Sequence, residues 1–441
     1  MSQAIIVGGG AAGLGAAFRL LEKGWQVRVL EKSPHIGGLA SSVDTSGTTI
    51  ERFYHHHFVG QDHIVAMAER LGLSDRLHWG TTKMGFISEG ELYPFNGPLD
   101  LLRFSPLPFL SRVRLGMSIA WFGVLKNWEP LDKRYAKELL LTYSGKPAWD
   151  KVWGPLLRLK YGDLLEEVSA AWIWERVHSR RKSQKLGKGK ESLGYIRGGS
   201  GLLLQHLAKA VRELGGVIET GCNVEAILCE DGRCVGVQES GRKLDADAVV
   251  ATVPVQVLAR LAPTLPKDYI DRLANIEYQA ALCVLVRLKK SLSPYYWINV
   301  ADVKNTFAVI IEHTHLAPIE DYNGEVVVYL GSYLRRDHPW VTAPEDEVAK
   351  AYIADLFRLF PDLSQDDIIG YSVGREALAQ PVFKRNFASI KPTLETPVQR
   401  LFLATTAQSF PESRSVNTAL KLGSEAADLA ERLCGANAHR P

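Results

Sequence analysis

The chain has 441 residues, of which 46% are hydrophobic and 23% charged, with a formal net charge of +3. This balance excludes a disordered protein and argues against nucleic acid as a partner, and the length suits two domains or one large domain with a lobe. Five cysteines without a C-x-x-C pair argue against a disulfide framework and a metal site, and they point to a reducing compartment.

Ala4-Ile5-Ile6-Val7 reads as a buried strand. It opens onto Gly8-Gly9-Gly10-Ala11-Ala12-Gly13, which fits G-x-G-x-x-G, and then onto an apolar-periodic helix through about Lys23. Trp25–Leu30 reads as a second strand, and Glu31 ends it 18 residues past Gly13. In this pattern Gly8 permits the tight turn, Gly10 lets a pyrophosphate approach the backbone, and Gly13 lets helix and strand pack closely. The helix start around Ala11 and Ala12 offers unpaired N–H groups to phosphate. A carboxylate at Glu31 can accept from ribose hydroxyls. The motif alone is weak, but strand, helix and acidic residue in this order are its confirming context.

A second glycine pair follows in Glu31-Lys32-Ser33-Pro34-His35-Ile36-Gly37-Gly38-Leu39-Ala40. This stretch resembles the extended fingerprint of the flavoprotein superfamily that includes protoporphyrinogen oxidases, amine oxidases, phytoene desaturases and UDP-galactopyranose mutases. Tyr195-Ile196-Arg197-Gly198-Gly199, the helix-like Leu202–Leu214 and Cys222-Asn223-Val224-Glu225 resemble that superfamily's second cofactor segment, and Asp247–Pro254 the strand that closes it. Leu401–Thr406 and a helix from about Val416 to Leu433 resemble its terminal flavin-contacting unit. The resemblance implies FAD as cofactor. The residues it implies are Gly8, Gly10, Ala11, Ala12, Gly13, Glu31, Lys32, Gly37, Gly38, Leu39, Ala40, His55, Val224, Thr405, Thr406, Val416 and Asn417. The chain departs from the family where His35 and Leu39 replace arginines, where Thr405-Thr406 replaces Gly-Asp, and where Phe53-Tyr54 replaces a glycine-containing turn.

Phe53-Tyr54-His55-His56-His57-Phe58 is the most unusual local sequence. Some relatives set a histidine beside the flavin ring, and His55 matches that position. His55 and His56 are the candidate catalytic residues. On an extended segment only His55 and His57 share a side, and no carboxylate or cysteine pattern supplies a third ligand, so no metal is expected.

Along the rest of the chain, Ile64–Leu71, Leu110–Lys126 and Tyr135–Thr142 carry helical periodicity. Ala280–Leu288, Thr306–Glu312 and Val326–Leu334 read as strands, and Pro344–Phe360 as an amphipathic helix. The expected fold is therefore α/β: a Rossmann-type FAD-binding domain assembled from discontinuous segments, with an α+β substrate lobe of sheet and helices. The FAD-binding domain comprises 1–60, 193–262 and 398–441. Residues 61–192 form the helical part of the lobe, and 263–397 its sheet-containing part.

Arg176–Lys190 holds seven Lys/Arg and no acid. A clamp for an anionic substrate group, an acidic membrane face and a solvated loop all account for it. Pro94–Trp128 mixes Leu, Phe and Trp with Arg103, Arg112, Arg114 and Lys126, as a membrane-surface helix or a core helix pair would. No run reaches the roughly 18 apolar residues of a spanning helix, and no secretory signal is visible. A cytoplasmic protein is expected, with peripheral contact at the inner membrane face left open. Arg335, Arg336, Arg375, Tyr329, Tyr333 and Phe383 are further candidates to face a cavity. The leading function is an FAD-dependent oxidoreductase that removes a hydride from a C–H or C–N bond of a bulky, partly apolar, small-molecule or lipid-like substrate. The alternative is a non-redox flavoenzyme of the mutase type acting on a nucleotide- or lipid-linked sugar.

Overall fold

The two apolar runs at the amino terminus, Gln3–Val7 and Gln26–Glu31, form adjacent parallel strands in the computed structural model of the chain, paired from Gln3–Gln26 to Val7–Leu30. The structure describes residues 1–45, 47–186, 192–302 and 304–435. These two strands belong to a five-stranded sheet in the order Val217–Thr220, Gln26–Glu31, Gln3–Val7, Ala248–Ala251, Leu401–Leu403, parallel throughout. A parallel sheet is buried on both faces, and the strand residues divide accordingly. Ala4 and Ile6 pack under the helices Ala11–Glu22, Gly199–Glu213 and Val416–Cys434. Ile5 and Val7 face the other way, toward Val224, Ile227 and Val237 of a three-stranded antiparallel sheet.

A second, seven-stranded sheet runs in the order Ile368–Pro381, Tyr278–Leu288, Val326–Leu334, Val309–Glu312, Trp297–Val300, Met84–Ser88, Glu91–Pro94. Its long central strands alternate. Leu282, Val284, Val286, Val328 and Leu330 pack with helix Glu345–Leu359. Ala281, Cys283, Leu285, Val327 and Tyr329 face Ile50, Phe53 and Tyr195 on the side of the parallel sheet. That inward face is one wall of the site.

A helical layer supplies another wall. It contains Phe109–Val124, Ala136–Tyr143, Gly154–Tyr161 and Ala170–Leu186. The segment 61–192, read from sequence as helical, also contributes the strands Leu77–Thr81, Met84–Ser88 and Glu91–Pro94. These runs are too short to establish a period of their own. They are fixed by pairing, Met84–Ser88 lying parallel to Trp297–Val300.

Candidate active site

The fingerprint glycines fall into two physical kinds. Gly8 has φ +111°, and a Cβ on Gly13 would lie 1.9 Å from the Gly8 carbonyl oxygen, so the fold itself requires both. Gly10 differs. Its φ of −78° suits any residue, and a Cβ there would meet nothing nearer than Gly37 O and Gly38 Cα at 4.0 Å. The protein's own packing does not demand a glycine at this position, whereas a phosphate against the backbone would. Gly10 is the N-cap of helix Ala11–Glu22, and no side chain caps that helix start, which leaves its first N–H groups for water or a ligand. Gly37 (φ +112°) and Gly38 (φ +55°) oppose it, and Gly37 N–H donates to Gly9 O at 2.9 Å.

Glu31 closes the same crevice. Its carboxylate accepts from Gly9 N–H at 2.6 Å and Ser33 N–H at 2.7 Å. Val224 is held nearby, because Cys222 N–H donates to Glu31 O at 2.9 Å. Lys32 is exposed, Leu39 half-buried and Ala40 buried. The residues present thus fit a dinucleotide: a cradle that a Cβ at Gly10 would fill, a helix start, and a carboxylate.

Thr405 and Thr406 follow the strand Leu401–Leu403, which pairs with Ala248–Ala251 beside Gln3–Val7. Thr405 caps the turn Thr406–Ser409 reciprocally with Gln408, and Thr406 Oγ1 stands 3.4 Å from Tyr278 Oη. At the helix Val416–Cys434, Ser415 Oγ accepts from Thr418 N–H at 3.1 Å, while Asn417 Oδ1 accepts from Ile64 N–H at 3.1 Å.

Between the two sheets and the helical layer opens a cavity of about 640 Å³. One wall is 53–63 and 411–418, which includes His55, His56, His57, Val416 and Asn417. Facing it are Lys160, Trp172, Glu175 and Arg176 from the helical layer, and Trp297, Tyr333 and Gln380 from the seven-stranded sheet. Burial pushes His55 and His56 down to about 3 and His57 down to about 4, with Arg414 adding to the effect on His55. All three are therefore neutral imidazoles at neutral pH. Nδ1 of His55 and of His57 are buried without a hydrogen-bond partner. His56 Nδ1 stands 3.2 Å from Tyr296 Oη and packs edge-on against Trp297. Glu51, fully buried behind them, accepts from Ser200 N–H at 2.7 Å, and burial raises it to about 7.

Of the further candidates, Tyr333 and Phe383 line the cavity. Tyr329 donates to Glu51 O at 2.9 Å from beneath the wall. Arg335 instead pairs with Asp337 at the surface, and Arg375 donates to Ala343 O, so both act outside the lining. The basic run divides. Arg176 and Arg180 line the cavity from helix Ala170–Leu186, whereas 187–190 lie outside the described residues. Sequence reading missed Lys160, Trp172 and Glu175. The available signal was slight, a lysine beside Tyr161 in a helix that also carries Arg158. Among the described residues no group of His, Cys, Asp or Glu is arranged to hold a metal ion, and no helix is long and apolar enough to cross a membrane.

Crevice and cavity together, on a doubly covered parallel sheet with a sheet-and-helix lobe, define a dinucleotide-dependent enzyme of the flavoprotein type. The chain belongs to the family of flavin containing amine oxidoreductases, whose model matches residues 11–430. It is 22% identical over 457 residues to the zeta-carotene desaturase of a Synechocystis species, covering 90% of this chain and 91% of that one. It is 23% identical over 440 residues to the 15-cis-phytoene desaturase of an Oncidium hybrid, covering 91% and 73%. Among solved structures it is similar to a Methanosarcina mazei oxidoreductase (TM-score 0.74, 17% identity, 97% and 100% covered). It is also similar to reduced UDP-galactopyranose mutase (TM-score 0.76, 16% identity, 100% and 97% covered). A third similar structure is putrescine oxidase bound to putrescine (TM-score 0.72, 17% identity, 98% and 99% covered). The protein is an FAD-dependent oxidoreductase, and its family favours redox chemistry over the mutase alternative.

Proposed function

We propose that this enzyme removes a hydride from a C–H bond, in a carbon chain or next to nitrogen so that C–C or C–N is oxidised, of a bulky, partly apolar substrate held in the cavity between the two sheets. The single observation that carries the reading is that cavity. Its walls bring the flavin-side segments 53–63 and 411–418 against an aromatic lobe surface in a volume of about 640 Å³. FAD supplies the two-electron acceptor when bound. In this reading the FAD-binding domain comprises 1–60, 193–262 and 398–441, with 61–192 and 263–397 forming the substrate lobe. Gly8–Gly13, Gly37–Ala40 and Glu31 with Lys32 bind the pyrophosphate and ribose, and Val224 contacts the adenine. Thr405, Thr406, Val416 and Asn417 serve the flavin end.

The protein's own part in the chemistry is positioning, exclusion of water and handling of a proton. Trp128, Trp172 and Trp297 give the substrate an apolar surface. As the hydride leaves, a proton must leave with it, and a neutral imidazole can accept one. His55, whose Nδ1 stands 4.0 Å from Glu51 Oε1, is the first candidate for this role and His56 the second, each a weak base because burial holds its pKa down to about 3.

Access for a lipid-like substrate is supported by the helices Pro98–Arg103 and Phe109–Val124, which expose Leu99, Phe109, Leu110, Met117 and Val124. With Arg103 and Arg112 nearby, this surface suits peripheral contact with an anionic membrane face. The test is anaerobic reduction of the holoprotein. Bleaching of the flavin by a desaturable hydrocarbon-rich donor, one donor per flavin, is expected. Turnover that needs only catalytic reductant and consumes no acceptor would overturn the proposal.

A further inference from the structure

The helical wall of the cavity carries an unresolved charge. Lys160 Nζ lies among three aromatic rings, 4.9 Å from the Trp172 centroid, 5.2 Å from Tyr333 and 5.5 Å from Tyr161. Arg176 lies over the same Trp172 ring at 5.3 Å. Arg414, on the opposite wall, donates from Nε to Gln380 Oε1 at 2.9 Å and from Nη2 to Tyr333 Oη at 3.4 Å. Trp172 and Tyr333 therefore bind three cations into one cluster. Among the described residues none of the three has a carboxylate within ion-pair distance.

The nearest acid is Glu175. It accepts from Ser413 Oγ at 3.1 Å, and burial raises its pKa. One carboxylate that itself resists ionisation does not balance two arginines and a lysine. Burial and the two arginines hold Lys160 well below the ordinary lysine range, which is the response of a cation short of counter-charge. The three side chains are half-buried at the cavity wall, where an unpaired cation keeps only part of its hydration and aromatic faces return only part of the loss. The N-terminus of helix Val416–Cys434, directly after Arg414, adds a partial positive charge.

We infer that Lys160, Arg176 and Arg414 are the receptor for an anionic group, a carboxylate or phosphate, carried by the substrate whose apolar part fills the rest of the cavity. The inference rests on the oxidoreductase reading of this cavity and names the polar end of its substrate. It also separates this enzyme from relatives whose donors are cationic amines or neutral hydrocarbons. The aromatic rings that flank the cations serve two ends at once, packing the donor's apolar portion while holding the lysine stem straight.

The test uses FAD-loaded protein and three amphiphiles of equal chain length: dodecanoate, dodecyl phosphate and dodecyltrimethylammonium, each below its micelle concentration. Calorimetry and the flavin difference spectrum read binding. Both anions are expected to bind at least about tenfold tighter than the ammonium, as loss of one charge-assisted contact implies. The tighter of the two identifies the headgroup. Lys160→Met and Arg176→Gln, each checked for retained flavin, are expected to weaken anion binding about ten- to a hundredfold and to leave ammonium binding unchanged or improved. Binding of none of the probes, tighter binding of the ammonium, or anion affinity unmoved in both variants would overturn the inference. So would a shifted flavin reduction potential in Lys160→Met with anion binding intact, because the cations would then serve the flavin. The measurement is made on oxidised protein without turnover, so its failure leaves the oxidoreductase reading standing. Anion binding to a protein whose flavin no donor reduces would instead sink that reading alone.

Discussion

Gly423 lies where the C-terminal helix crosses the first helix, and a methyl group there tests how the cofactor crevice is held. A Cβ on Gly423 would stand 2.1 Å from the Ala12 carbonyl oxygen and 3.1 Å from Ala12 Cα. An ordinary carbon–oxygen contact needs about 3.3 Å, so Gly423→Ala must move the helices apart by about 1.2 Å. The contact is backbone, so no side chain can rotate away. Overpacking of this kind costs about 1–3 kcal/mol. The displaced element is the first turn of helix Ala11–Glu22, whose N–H groups are proposed to meet the pyrophosphate. Loss of one charge-assisted hydrogen bond there weakens FAD about ten- to a hundredfold. The assay is equilibrium release of FAD, followed by its fluorescence, together with thermal melting of apo and holo forms. Gly116→Ala is the control, since its nearest neighbour is the flexible Leu101 side chain at 3.4 Å. It should be neutral or slightly stabilising, as helical Gly→Ala is in open positions. If Gly423→Ala binds FAD with unchanged affinity and melts with the parent, the interlocked helices do not set the crevice.

Gly10→Ala should fold, because its Cβ would meet nothing nearer than 4.0 Å and an N-cap change costs about 1 kcal/mol or less, yet the purified protein should be colourless. A yellow variant contradicts the assignment of the crevice. Acid should destabilise the protein along a defined course. His55, His56 and His57 are lowered from 6.5 to about 3, 3 and 4, so the stability tied to their neutral forms is complete above pH 6.5 and is lost as pH falls toward 3. Each contributes about 1.4 kcal/mol per pH unit in that window. Glu51, raised to about 7, acts in the opposite sense: its stability is full below pH 4.5 and lost as pH rises to 7. One acid opposes three bases, so denaturant midpoints at pH 5 should fall below those at pH 6.5, and a flat profile would contradict the neutral imidazoles. Phe109→Asp with Leu110→Asp should lower co-flotation with anionic vesicles by about a hundredfold, as loss of two exposed apolar side chains that would enter the lipid implies, while FAD content stays constant. Unaltered flotation would mean that those helices do not meet lipid.

The nucleotide crevice was legible because its determinants are contiguous. Strand, glycine turn, helix and Glu31 follow one another within the chain, and each constrains its neighbour. Element positions in the lobe were legible where periodicity was strong, as in Val326–Leu334, whose bounds are the same in the structure. The strand Ile368–Pro381 was not seen. It lies at the sheet edge, half-exposed along much of its length, and Gly370 and Gly374 interrupt its alternation. Of the cation cluster only Arg176 was legible, as the start of the basic run, and Lys160 and Arg414 were not, for a different cause. Lys160, Arg176 and Arg414 come from two separate helices and the segment before a third, and only Trp172 and Tyr333 bring them together. Nothing in the local pattern of any one of them reports the other two.

The strand order of the parallel sheet has a consequence for biosynthesis. Leu401–Leu403 pairs beside Ala248–Ala251, and helix Val416–Cys434 lies across helix Ala11–Glu22. A ribosome therefore releases the amino-terminal nucleotide loop long before the partners that complete its surroundings exist. A nascent chain stalled in the lobe would still lack the strand Leu401–Leu403 and the helix Val416–Cys434 that pack around the amino-terminal crevice.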